Sequence, residues 1–245
     1  MTKVQIKSYI KIGNKITKGS PTDALRNDLT IDLGGTANIS PINKIVLVDD
    51  TDTERDNATI STTDWSLTDI TGGRRATAIK DIQISANYSV AKIRLYTDSR
   101  LYFEYTLSTP EAVQSGGVFR VTITIDVTAS ITHSGGTLIS ISGETILADF
   151  ILRRFTTGEY IGYTIDFLDI YYEGAFQLSL SPSRTVDPTN YRVTFSASMT
   201  PEAIVNMDEY RWRNSTANID LIIIKLQAVT LDTGVTHNWS LMIQL

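Results

Sequence analysis

Polar and apolar residues alternate with a period of two along most of this chain. Between Val4 and Ile12 the apolar side chains fall on one face, whereas the lysines fall on the other. Such alternation is typical of β-strands that are buried on one side. The same pattern predicts strands at 44–50, 81–90, 91–97, 100–107, 119–128, 137–142, 162–174, 176–181, 191–199, 219–231 and 238–245. Helical signal is confined to single turns predicted after Pro110 and Pro201, so the expected fold class is all-β.

The strand pattern repeats once within the chain. Residues 26–50 match residues 148–174, and residues 100–127 match residues 221–245, at an offset of roughly 120. This repeat is explained either by a duplication or by the loose match that any two β-rich segments give. Turn-forming residues cluster at 129–137. We therefore predict two tandem antiparallel β-sandwich domains with a jelly-roll-like arrangement, residues 1–130 and residues 131–245.

Composition removes several classes of protein. The chain has 245 residues, of which 42% are hydrophobic and 20% charged, so it has enough apolar side chains to fold around a core. Its net charge of −5 argues against nucleic acid as the main partner, because phosphate binding requires a basic surface. The absence of cysteine excludes disulfides, thiolate metal sites and cysteine nucleophiles.

Targeting signals are also missing from the sequence pattern. The first residues alternate instead of forming the apolar region of a signal peptide, and no apolar run is long enough for a transmembrane helix. We therefore expect synthesis in the cytoplasm without a signal peptide and no membrane insertion. If the protein acts outside a cell, it leaves by another route, such as inside a virus particle.

Candidate chemistry is sparse. The two histidines, His133 and His237, fall at separate joints between strands, and no nucleophile elbow or phosphate-binding glycine motif is present. We expect no catalytic site and no cofactor. The acidic run at 49–57 offers Asp50, Asp52 and Glu54 as candidate Ca²⁺ ligands. A solvated acidic loop explains the same run, because the glycine and the closing glutamate of an EF-hand are missing.

Two further groups are candidate interaction surfaces. Lys3, Lys7 and Lys11 share the outer face of the first strand, where they either protect a sheet edge or form a docking strand for an acidic neighbour. Tyr210 and Trp212 form a candidate binding surface for carbohydrate or protein, with core packing as the alternative. Glycosylation sequons occur at Asn38, Asn57, Asn87, Asn214 and Asn238.

The first half resembles a domain of phage tail-fibre and related virion appendage proteins. The resemblance rests on SPINKIVLVDDTDTERDNATIS at 40–61, where a Pro-Ile-x-x-Ile-x-Leu pattern leads into a Thr/Asp-rich loop, and on the strands at 78–107 and 117–128 that follow. The chain departs from the family at 48–50, where that family has a glycine-rich segment. The Ile-, Thr- and Tyr-rich, cysteine-free composition also looks like that of archaeal virus proteins.

The resemblance implies a virion structural protein: a fibre, spike, turret or tail component. Such a protein is expected to be a homo-oligomer that contacts other virion proteins and attaches to a host-surface glycan or protein. Two alternatives stay open. One is a major capsid or coat protein with two jelly-roll-like halves, and the other is a carbohydrate-binding adhesin module.

Overall fold

The computed structural model describes residues 2–35, 39–159 and 165–245, and this part of the chain is mostly β-strand. The strands are β1 (Thr2–Ile12), β2 (Lys15–Pro21), β3 (Lys44–Asp49), β4 (Glu54–Thr59), β5 (Ser66–Ile70), β6 (Gly73–Gln83), β7 (Tyr88–Thr97), β8 (Arg100–Val113), β9 (Val118–Ile131), β10 (Leu138–Ser142), β11 (Phe167–Tyr172), β12 (Ala175–Leu180), β13 (Ser183–Asp187), β14 (Arg192–Met199), β15 (Val205–Asn214), β16 (Ile219–Leu231) and β17 (His237–Gln244). The helices are α1 (Asp23–Leu33), α2 (Glu144–Phe155) and a 3-10 turn at Thr62–Asp64. None of the helices described is long and apolar enough to cross a membrane.

The strands form two sheets. The larger has the order β13-β14-β17-β1-β2-β8-β7-β3-β4, and β1 also pairs with β9, which continues to β6 and β5. The smaller has the order β10-β16-β15-β11-β12. Pairing is antiparallel except between β1 and β17, which run parallel at Thr2–Lys3 and Ile243–Gln244. The prediction of an all-β protein with antiparallel, sandwich-like sheets is confirmed.

The strand order of the first half recurs in the second. The order β2-β8-β7-β3-β4 corresponds to β10-β16-β15-β11-β12, and β5-β6-β9 corresponds to β13-β14-β17. The segments that matched in sequence occupy equivalent places, since 26–50 contains α1 and β3 whereas 148–174 contains α2 and β11. In the first half the first strand pairs with the last and the second with the second-last, as in a jelly roll, while the inner strands pair as hairpins.

The two halves share one core. Helix α1 packs on β8 of its own half and on β13 and β14 of the other, and α2 packs on β16 of its own half and on β6 and β9 of the other. One hydrophobic cluster accordingly contains buried residues from both halves. Whether residues 1–130 and 131–245 fold on their own stays a prediction.

Both helices were missed by the strand pattern. The Thr22 hydroxyl caps α1 by accepting a hydrogen bond from the Leu25 N–H at 3.4 Å. Leu25, Leu29 and Leu33 recur every four residues on its buried face. The helical turns predicted after Pro110 and Pro201 are wrong. Pro110 lies within β8, where exposed positions tolerate its missing N–H, and Pro201 precedes a bend that leads into β15.

A buried ion pair joins the two helices. Asp32 ends α1 and Arg154 lies near the end of α2, and the two side chains are 1% and 0% exposed. The Arg154 guanidinium donates to the Asp32 carboxylate and lies over the Phe150 ring at 4.7 Å. The second carboxylate oxygen accepts from the Ile39 N–H at 3.1 Å. Burial raises the pKa of Asp32, although the neighbouring guanidinium acts in the opposite direction.

Candidate functional site

The second half contains a cleft between its two sheets. Residues of β15, β16 and β17 and the loop at 132–136 line it. The cleft has a volume of ≈ 270 Å³. Its lining includes Tyr210, Trp212, Leu226, Trp239 and Leu241. Within the described residues, the ionisable side chains that line the cleft are those of His133 and Tyr210.

One polar contact crosses the cleft. The Tyr210 hydroxyl and His133 Nδ1 are 3.0 Å apart, and the ring centroids are separated by 6.1 Å. Burial raises the pKa of Tyr210 to about 12, so the phenol is neutral near pH 7 and can donate to the imidazole. His133 thus anchors the loop between β9 and β10 onto the sheet. The sequence pattern places His133 in the connection between two predicted strands and predicts no contact for it.

Tyr210 and Trp212 do not form an exposed binding surface, and that prediction is wrong. They lie within β15 and are 6% and 1% exposed, because the strand turns this face toward the core. Their rings are instead part of the wall of the cleft. Stacking of a sugar on an open aromatic face is therefore not available at these two residues.

Two strand edges of the second half are only partly paired. Strand β10 is the end of the five-stranded sheet and pairs with β16 alone. Strand β17 pairs with β14 along its length, but on its other side it meets β1 only at Ile243 and Gln244. In β10, Leu138 and Ile139 are 43% and 67% exposed. A β-bulge between Leu138 and Ser140 accompanies this exposure.

The predicted docking lysines point outward. Lys3, Lys7 and Lys11 are exposed on one face of β1. None of the three forms an ion pair within the described residues. Strand β1 pairs with β9 on one side, and on the other side it pairs with β17 at residues 2–3 and with β2 at residues 8–12, so an edge remains at 4–7 and its protection by lysine stays a prediction. Docking onto an acidic neighbour stays a prediction.

The acidic run forms a hairpin and does not gather a metal site. Asp49 accepts hydrogen bonds from the Thr51 N–H and the Thr53 N–H, both at 2.9 Å, and ion-pairs with Arg55. These bonds hold the pKa of Asp49 well below its ordinary value, with the Thr51 hydroxyl as the largest cause. The acidic residues therefore stabilise the turn between β3 and β4.

Two of the three predicted Ca²⁺ ligands are bound by other side chains. Asp52 is bound by Lys92 and Arg94, each at 2.8 Å, and Glu54 accepts from the Tyr96 hydroxyl at 2.6 Å. No group of three or more acidic, histidine or cysteine side chains suited to a metal occurs in the described part of the chain. The structure thus does not bring Asp50 together with the other two, and the calcium prediction is not supported.

The sequons differ in accessibility. Asn57, Asn87 and Asn238 are exposed. Asn214 is 3% exposed and accepts a hydrogen bond from the Ala217 N–H at 2.7 Å, so the prediction of glycosylation there is wrong. Asn38 lies outside the described residues.

The first half has a cleft of its own, and its carboxylate at Asp28 is engaged by neighbouring residues. Asp28 of α1 accepts from the Tyr102 hydroxyl at 3.0 Å and pairs with Arg100 at 2.8 Å. Burial raises the pKa of Asp28, partly offset by these two partners. The arrangement ties α1 to β8.

Comparison with known proteins adds no relative. No family model matches the chain, and no curated protein or solved structure matches it.

Proposed function

We propose that this chain is a structural subunit of a virus particle, forming a fibre, spike, turret or tail component, and that it acts by binding other proteins without catalysing a reaction. The observation that carries the assembly role is the uncovered edge of β10, the strand that ends the five-stranded sheet. Leu138 and Ile139 are exposed there, and no charged residue lies in β10. Soluble proteins normally protect such edges with charges or proline, so an unprotected one marks a pairing surface. The virion assignment rests on the sequence resemblance.

Two kinds of partner follow from the surface. The β10 edge, being apolar and uncharged, favours another copy of the chain or a second virion protein. The lysine face of β1 favours an acidic partner, because Lys3, Lys7 and Lys11 are exposed and unpaired within the described residues. Attachment to a host-surface glycan or protein belongs to the same proposal, with the exposed loops as contact regions.

A major capsid or coat protein is the second candidate. The repeated strand order favours it, because two jelly-roll-like halves in one chain give a pseudo-symmetric building block for a shell. A carbohydrate-binding adhesin module is less favoured, since the aromatic pair that suggested it is buried.

The assembly role is tested by the oligomeric state of the purified protein. Ile139→Lys places a charge on the β10 edge, and Ile79→Lys is the matched control, because Ile79 is 60% exposed on β6 of the other half. Light scattering coupled to size exclusion should show an oligomer that Ile139→Lys dissociates and Ile79→Lys leaves intact. A wild-type monomer at high concentration would contradict the proposal. Electron microscopy of the assembly then separates a fibre, spike or tail ring from a closed shell.

A further inference from the structure

Four lysines lie together on the outer face of β1 and β2. Lys3, Lys7 and Lys11 occupy alternate turns of the pleat along β1. Lys18 of β2 lies on the same face, because it pairs directly opposite Tyr9. All four lysines are exposed, and none of them forms an ion pair within the described part of the chain. We call this surface the β1–β2 face.

The β1–β2 face has no free carboxylate to balance its lysines. Neither strand contains an aspartate or a glutamate. Asp126 of β9 lies opposite Lys7, but Arg75 already binds its carboxylate with two hydrogen bonds of 2.6 and 2.7 Å. Ile16, which pairs with Lys11, is 67% exposed among the lysines. The face is therefore cationic and partly apolar, although the net charge of the chain is −5.

Exposed carboxylates lie together at one end of the smaller sheet. Strand β15 begins where β16 ends, so the connections at 200–204 and 232–236 adjoin there. The Gly234 N–H donates to the Pro201 carbonyl at 3.0 Å and holds the two connections together. Glu202 and Asp232 lie in these connections, and both are exposed.

The turn after β11 brings two more carboxylates to the same end. The Glu173 N–H donates to the Asp208 carboxylate at 3.0 Å. None of the four carboxylates forms an ion pair within the described residues, and the three connections contain no lysine or arginine. Ile204 and Val235 are 70% and 49% exposed beside them. We call this surface the acidic end.

We propose that the β1–β2 face docks on the acidic end of a second copy of this chain. This inference rests on the proposed assembly function and names the partner of the lysines. The two surfaces are opposite in charge, which orients the encounter of two copies and disfavours contacts between like surfaces. Each surface also exposes large apolar side chains among its charges, as the buried part of an interface requires.

The extent of the β1–β2 face suits a stable contact. Lys3 and Lys11 are eight residues apart, which is roughly 27 Å along a strand at about 3.4 Å per residue. A standard interface buries about 800 Å² on each partner, a patch roughly 28 Å across. Because two different surfaces meet, each copy can contact two others. The contact therefore builds a ring or a filament and not a two-fold dimer.

Charge reversal tests the contact from both sides. The first variant carries Lys7→Glu and Lys11→Glu, and the second carries Glu202→Lys and Asp232→Lys. All four side chains are exposed, and none is ion-paired within the described residues, so both variants should fold. The matched controls keep the charge at the same positions: Lys7→Arg with Lys11→Arg, and Glu202→Asp with Asp232→Glu. Mass is measured by light scattering coupled to size exclusion at low ionic strength.

Each reversed variant alone should self-associate at least about tenfold more weakly than the wild type, because like charges then face each other. An equimolar mixture should regain the wild-type mass, since the acidic face of the first variant meets the basic end of the second. Both controls should keep the wild-type mass, and added salt should lower it. A mixture that stays at the mass of the separate variants overturns the inference. Loss of assembly only on reversal of the lysines also overturns it, because the lysines then bind another acidic surface.

The docking proposal and the assembly proposal can fail separately. An oligomer that Ile139→Lys dissociates and that both reversed variants leave intact refutes the docking of the β1–β2 face alone. An oligomer that the reversed variants dissociate and that Ile139→Lys leaves intact refutes the role of the β10 edge alone. A wild-type monomer refutes both.

Discussion

The buried pair between Asp32 and Arg154 allows a quantitative stability prediction. Asp32→Asn removes the negative charge but keeps an oxygen that can accept from the Ile39 N–H, so the change isolates the ion pair. It leaves the guanidinium buried without its counter-charge. Breaking one side of a buried pair costs about 3–5 kcal/mol. Since domains are typically stable by only about 5–15 kcal/mol, this single change should remove a large part of the free energy of unfolding.

The double variant separates the pair from general damage to the core. Arg154→Met alone leaves the Asp32 carboxylate buried and unpaired, at a similar cost. When both changes are combined, no unpaired charge remains in the interior. We therefore expect the double variant to be at least as stable as either single variant, with a coupling free energy of about 3 kcal/mol.

Urea unfolding followed by tryptophan fluorescence and circular dichroism measures these free energies. Asp81→Asn is the control, because Asp81 and Arg120 form an ion pair on the surface, with side chains 41% and 70% exposed. It should leave the unfolding midpoint unchanged. The reasoning is refuted if the two single costs add in the double variant, or if Asp32→Asn shifts the midpoint no more than Asp81→Asn does.

Three further predictions follow from single contacts. Hydrogen bonds hold the pKa of Asp49 below its ordinary value, so the stability that this carboxylate supplies is present above about pH 4 and is lost as the pH falls toward its folded-state pKa. Asp49→Asn should flatten this acid dependence in a series of unfolding curves. An unchanged slope of stability against pH would contradict the prediction. Tyr210→Phe removes the bond to His133 and should cost about 0.5–1.5 kcal/mol in urea unfolding, while a cost near zero would show that the contact is not formed in solution. When the chain is secreted from eukaryotic cells behind an added leader, folded protein should carry no glycan at Asn214, because a glycan attached before folding cannot enter the core. Among the four sequons that the structure describes, glycopeptide mass spectrometry should find modification only at the exposed Asn57, Asn87 and Asn238.

Most strands were predictable because a half-buried strand leaves a local signature. Strand β9 alternates buried positions with exposed or half-buried ones over most of its length, and a turn at Asp98-Ser99 joins β7 to β8. Helix α1 was missed although its signal is present. Thr22-Asp23 is a capping sequence, and leucines follow at a spacing of four. The helix is short and lies between strands, so the period of two from the flanking strands masked its helical period.

The functional site was less predictable, because it depends on which strands meet. Tyr210 and Trp212 are two residues apart and so share a face, but the sequence does not say whether that face is covered. The contact between His133 and Tyr210 joins residues 77 positions apart.

The unequal closure of the two halves follows from the position of β1. This strand pairs with β9 over most of its length and with β2 at residues 8–12, and its first two residues reach β17 of the other half. It therefore closes the first sandwich completely and touches the second only at Ile243 and Gln244. A duplicated chain with one such strand has one half whose sheets are joined by β1 and one half in which the edges of β10 and β17 are largely unpaired. Free edges are costly for an isolated molecule, since they favour unwanted pairing. That cost is offset if the second half pairs with another polypeptide in the assembled particle.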